Sequence, residues 1–143
     1  GHPIAAVVTT REIAKSFNSS HGYFNTFGGN PVSAAAGLAV IRFVNNNKLT
    51  EHAENVGKHF KRGLNSAARK LSVIQEVRGS GLFIGVELKS SKIASHAIEE
   101  LLLEGVLVGQ TGPQNSVIKL RPPMTFTKEH ADQVIKAIEK VLS

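Results

Sequence analysis

The sequence predicts an α/β segment that passes into an α+β domain, and three patterns carry that expectation. Ile4-Ala5-Ala6-Val7-Val8 is a short apolar run of the kind that forms an interior strand. Leu49, Ala53, Val56, Phe60, Leu64, Ala67 and Leu71 recur at spacings of three and four and mark one long amphipathic helix. After residue 72 the period changes to two, with Leu82, Ile84, Val86 and Leu88 on one face of a strand.

Each element follows from its own local chemistry. Behind the first strand, Thr9 or Thr10 caps a short helix through Arg11-Glu12-Ile13-Ala14. Residues 17–32 fit neither helical nor strand periodicity and read as a polar, glycine-rich loop. Asn30 then caps a helix running from Val32 to about Asn45, with Pro31 at its first position, where a missing N–H removes nothing. That helix is apolar nearly all round, so burial is expected on most of its sides. The long amphipathic helix, Leu49–Leu71, reads as a rod between two parts of a protein. Residues 73–77 and 82–88 are strands, and 93–104 is a helix with Ile93, Ala97, Ile98, Leu101 and Leu102 inward, stopped by Gly105. Residues 106–108 and 117–120 are short strands, the second ended by Pro122-Pro123. Thr127 caps a last helix whose stripe is Ala131, Val134, Ile135, Ile138, Val141 and Leu142.

Composition removes several classes of function. Apolar residues make up 41% and charged residues 20%, which is globular material rather than a disordered tail. The formal charge is +6, yet the cations are dispersed and only 6% of residues are aromatic, which argues against a nucleic-acid partner. No apolar run approaches the roughly 18 residues of a membrane span. Cysteine is absent, so thiolate metal sites and disulfides are excluded, which is compatible with a reducing compartment, and the location expected is cytoplasmic. His52 and His59 share a helix face two turns apart, too far to hold one ion, and no metal is expected. A chain opening directly on an interior-type strand is expected to be a fragment.

Three segments could carry chemistry. Thr26-Phe27-Gly28-Gly29-Asn30-Pro31 sets a glycine pair and a hydroxyl before a helix start, an arrangement suited to a phosphate and equally to a plain tight turn. Arg78-Gly79-Ser80-Gly81-Leu82-Phe83-Ile84-Gly85 only superficially resembles a dinucleotide fingerprint. Its last spacing is one residue too long and its glycines precede a strand, so it reads as a turn with positive φ. Alternation places Lys119 and Arg121 on one face, where they could meet an anionic substrate or simply face solvent.

Taken in order, these segments resemble class III pyridoxal-phosphate (PLP) aminotransferases. The resemblance runs from Gly1-His2-Pro3 through Tyr23–Pro31, the alanine-rich helix and Arg78–Glu87 to Pro122-Pro123-Met124, and so covers essentially the whole chain. It is closest to the alanine–glyoxylate aminotransferase 2-like branch, which includes ethanolamine-phosphate phospho-lyases. The resemblance implies a fold-type I enzyme acting on small amino and keto substrates as a homodimer. Residues 1–45 would end the PLP-binding large domain, 46–71 would connect, and 72–143 would form the small α+β domain. It further implies that Thr26, with Phe27 and Gly28, contacts the PLP phosphate of the neighbouring subunit. The Schiff-base lysine would lie just before the position of Gly1, leaving no catalytic residue here and an inert fragment. Lys119 stands where many relatives have an arginine that grips the substrate carboxylate, with Arg121 nearer the proline pair. A point charge in place of a fork suits the phospho-lyase side, whose substrate has no carboxylate, and both subfamilies stay open. A non-catalytic dimerisation or partner-binding module is the reading from a different class.

Overall fold

The computed structural model describes residues 2–143, which form two compact units, one ending at Asn47 and the other running from Lys48 to Ser143. Unit 1 is helical. Residues 2–10 have no regular secondary structure, and Val7 and Val8 are 92% and 96% exposed. The strand expected over residues 4–8 is therefore not formed. Its apolar residues suit an interior position, but among the described residues no neighbouring strand supplies the ladder that would hold it.

Helix α1, Arg11–His21, is longer than its local signals imply and takes in the first part of the expected loop. Thr10 caps it, its hydroxyl accepting from the Ile13 N–H at 3.4 Å. The serines of the polar stretch bond back onto the helix, Ser19 Oγ and Ser20 Oγ both donating to the Ser16 carbonyl. Phe17 and His21 stack one turn apart, 5.3 Å between ring centroids. The loop proper begins at Gly22, whose φ of +42° ends the helix. Helix α2, Pro31–Asn46, starts at the predicted Asn30 cap, but none of its residues is buried. Val32, Leu38, Val40, Ile41 and Phe43 are all about half exposed or more, so the cover expected from its composition is not supplied within the described chain.

Unit 2 comprises α3 (Leu49–Lys70), β1 (Ile74–Ser80), β2 (Phe83–Leu88), α4 (Ser91–Leu103), β3 (Gly109–Thr111), β4 (Val117–Leu120) and α5 (Lys128–Val141). The sheet runs β1-β2-β4-β3, antiparallel at every step. Helix α3 packs on β1 and β2, α4 on β2, β4 and β3, and α5 on α3 and α4. Phe60, Leu64, Ile84, Val86, Leu88, Leu101, Ile118 and Ile138 fill the space between, each less than 2% exposed. The α3 stripe read from the sequence is the buried one, and it packs into this core.

Two local expectations fail at α4 and just beyond it. Residues 106–108 were expected as a strand, yet the amides of Gly105 and Val106 return to the carbonyls of Leu102 and Leu101, at 3.0 and 2.8 Å. Gly105 sits at φ +80° in this Schellman closure of α4, and pairing begins only at Gly109. Within α4 the inward face is Ala94, Ala97 and Leu101, and Leu102, one residue round the helix from Leu101, is 58% exposed.

At α5 the Thr127 hydroxyl accepts from the His130 N–H and the His130 ring accepts from the Thr127 N–H, a reciprocal capping box. The Thr127 hydroxyl, followed by the local backbone, also holds the Glu129 carboxyl below the ordinary glutamate range. Thr127→Ala should therefore cost unit 2 about 1 kcal/mol, measured as a lower urea midpoint at constant m-value.

Candidate functional site

The turn before α2 is organised by its two asparagines. Asn25 Oδ1 accepts from the Phe27 N–H at 3.1 Å, and the Asn25 carbonyl accepts from the Gly28 N–H at 3.4 Å. Tyr23 steadies Asn25, its hydroxyl accepting from Nδ2 at 3.1 Å. Asn30 closes the other end: Oδ1 takes the Ser33 N–H at 2.9 Å, and Nδ2 donates to the Phe27 carbonyl at 2.8 Å. Gly29, at φ +70°, makes the reversal a side chain would oppose. Thr26 sits at the tip of this turn, and among the described residues no hydrogen bond engages its hydroxyl. A phosphate placed there would meet a free hydroxyl, a turn carrying two glycines and the positive end of α2. The residues present therefore fit the phosphate end of a cofactor such as PLP. Phe27, 79% exposed, lies on the outside of the turn.

In unit 2 the register aligns Arg78, Gly85, Lys119 and Gly109 as one rung across all four strands. Lys119 projects from the sheet face opposite the buried Ile118 and Leu120. Both of its cross-strand neighbours are glycines, so no side chain stands beside it on that rung. A Cβ on Gly109 would lie 3.6 Å from Lys119 Cε and 4.0 Å from its Nζ, which places the lysine stem over β3. Arg78 is already engaged by Glu76 at 2.8 Å and by Glu87, and the bond to Glu87 does most to raise the guanidinium pKa. No carboxylate within ion-pair distance answers Lys119 among the described residues.

Arg121 follows the last paired residue of β4 and borders an open cleft of about 560 Å³ together with Phe60, Val108, Pro122, Phe126 and His130. Lys119 does not line that cleft. The two cations that alternation sets on one face thus belong to different surroundings. The glycine neighbours of Lys119 and the Arg78–Glu87 pair are not visible in the sequence, because they arise from strand order and register.

The family model for aminotransferase class-III matches residues 1–142. The chain is 40% identical over its full length to alanine–glyoxylate aminotransferase 2-like of Drosophila melanogaster and 32% identical to ethanolamine-phosphate phospho-lyase homolog 1 of Caenorhabditis elegans. It spans about a third of each, 31% and 32% of their lengths. A solved structure of a phospholyase from Arthrobacter in complex with phosphoethanolamine superimposes with a TM-score of 0.92 at 39% identity, covering 99% of this chain and 36% of that one. The small antiparallel sheet with its covering helices is shared with such fold-type I PLP enzymes, and the chain belongs to the class III aminotransferases, a PLP-dependent family with phospho-lyase relatives.

Proposed function

We propose that the chain is the C-terminal portion of a PLP-dependent class III enzyme that moves an amino group between small amino and keto substrates as a homodimer. In this reading residues 1–45 end the large domain, 46–71 connect, and 72–143 form the small domain. The observation that carries it is the unengaged Thr26 hydroxyl in a glycine turn at the start of α2, within a chain matched by the family along its whole length. Thr26, with Phe27 and Gly28, takes the PLP phosphate of the neighbouring subunit, and Arg121 at its cleft and Lys119 over β3 are the two separate candidates to meet the anionic end of the substrate. When bound, PLP supplies the electron sink for bond breaking at the amino-bearing carbon. This chain contributes only binding and orientation, because the resemblance puts the Schiff-base lysine before the position of Gly1. A cytoplasmic setting completes this reading, and the lack of cysteine is compatible with a reducing compartment.

The isolated chain is therefore expected to be inert with PLP, alanine and glyoxylate, and turnover above the free-cofactor rate would refute that. In the full-length protein, Thr26→Ala should weaken PLP at least about tenfold, as expected for one lost charge-assisted hydrogen bond, followed by cofactor absorbance during dialysis. Unchanged retention would remove the phosphate role.

A second reading has its own support. Lys119 offers a point charge instead of a fork, and the Arthrobacter relative was solved with phosphoethanolamine. On this reading the full-length protein is a phospho-lyase acting on a phosphorylated amino alcohol. Phosphate released from phosphoethanolamine, without transamination of alanine, would select it.

A further inference from the structure

One surface of unit 2 lies outside all of this. Arg62, Asn65, Ser66 and Arg69 recur at i, i+3, i+4 and i+7, so they form a single face of α3. Across from them β1 carries a bulge between Ile74 and Glu76, and the extra residue, Gln75, borders the same groove. The groove has a volume of about 570 Å³ and is floored by Ala68 and Ile74.

What lines this groove is chemically one-sided. Arg62, Arg69, Asn65, Ser66 and Gln75 all bring hydrogen-bond donors, and no carboxylate lines it. The lysines of α3 that lie nearest in sequence are occupied: Lys58 by Glu54, Lys61 by the Gly79 carbonyl and Lys70 by Glu139. Arg62 and Arg69 have neither an ion pair nor a side-chain hydrogen bond among the described residues, and both are exposed. The carboxylates of Glu76 and Glu87, close in the chain and in the sheet, are held by Arg78. Two guanidinium groups thus face one groove with only neutral donors between them.

We propose that this groove binds a small-molecule diphosphate. The two arginines are two turns apart, about 10 Å along the helix between their Cα atoms, so a ligand with two anionic centres lets both forks engage without the two arms folding onto one point. Two linked phosphate groups let each guanidinium make parallel N–H···O bonds to its own phosphate, with Ser66 and Asn65 donating to the bridge. Phosphate and sulfate, with one centre each, satisfy only half of the donors.

The test uses the 143-residue chain labelled with ¹⁵N and titrated with inorganic pyrophosphate at physiological salt. Saturable shifts centred on residues 62–69 and 75 are expected, with pyrophosphate binding at least about tenfold more tightly than orthophosphate or sulfate. Arg62→Lys and Arg69→Lys should each weaken binding several-fold, since the charge stays and the fork goes. The double Arg62→Gln/Arg69→Gln variant should abolish saturation, and because both side chains are exposed its amide spectrum should otherwise be retained. Equal affinity for orthophosphate and pyrophosphate, unaltered binding by the double variant, or shifts scattered over the basic surface would each overturn the proposal. A single-stranded oligonucleotide shifting the same amides at lower concentration than pyrophosphate would overturn it as well, by making the ligand a nucleic-acid backbone.

Discussion

Replacing Gly57 with alanine is expected to destabilise unit 2 by roughly 2–3 kcal/mol, although alanine is the better helix former by about 1 kcal/mol. A Cβ at this position of α3 would lie 2.1 Å from the Gly81 carbonyl oxygen and 2.4 Å from its carbon. Both atoms are backbone, so no rotamer change relieves the overlap. Either α3 lifts from the β1–β2 hairpin or the hairpin shifts, and Gly81 at φ +53° has little freedom to do so. Val56, Phe60 and Leu64 would be drawn off the sheet with the helix. Gly63→Ala is the control within the same helix. Its Cβ would meet Ile135 Cδ1 at 2.3 Å, but that atom is the far end of a flexible side chain. The helix-propensity gain there roughly offsets the repacking, and the net change should stay within about 1 kcal/mol. Thermal unfolding followed by circular dichroism separates the two, since each kcal/mol shifts the midpoint by about 4–8 °C for a unit of this size. Equal midpoints for the two variants would mean that the close approach of helix and hairpin is not a constraint.

The same hairpin shows how far residue patterns reach. Arg78–Gly85 reads from sequence as a turn needing positive φ, and Gly79 and Gly81 stand at +135° and +53°. The requirement is local, so local sequence carries it. Helix caps are local too, and Asn30, Thr127 and Gly105 act where their residue types place them. Expectations fail where a partner is needed. Ile4–Val8 has the composition of an interior strand, but a strand exists only with a ladder, and its residues are exposed. Residues 17–21 look like loop because neither helical nor strand periodicity fits them, yet α1 runs on to His21, where Phe17 and His21 stack one turn apart. Lys119 and Arg121 could be singled out by type and spacing. Their neighbours could not, because Gly85 and Gly109 become adjacent to Lys119 only through a strand order of β1-β2-β4-β3.

Phe60→Ala is the core change with the largest expected effect, about 3–5 kcal/mol, because it removes a buried aromatic ring that packs between the core and the cleft. Phe60 is 1% exposed and packs against Phe126 with ring centroids 5.7 Å apart, a tilted pair that adds to simple burial. Phe126 is in turn held by its backbone: its N–H donates to the Pro123 carbonyl at 2.9 Å, and its carbonyl accepts from His52 Nε2 at 2.8 Å. Losing the Phe60 ring therefore loosens the 123–126 segment that walls the cleft beside Arg121. Two consequences follow, on different observables. Global stability falls, read as a lower denaturant midpoint, and the resonances of Arg121, Phe126 and His130 shift or broaden even where the variant remains folded. Phe126→Leu keeps most of the buried volume and should cost less, about 1–2 kcal/mol. Combined with Phe60→Ala it should be less than additive, because the aromatic contact can be lost only once. Strict additivity would place the two rings in independent sites and remove the mechanical link between the core of α3 and the Arg121 cleft.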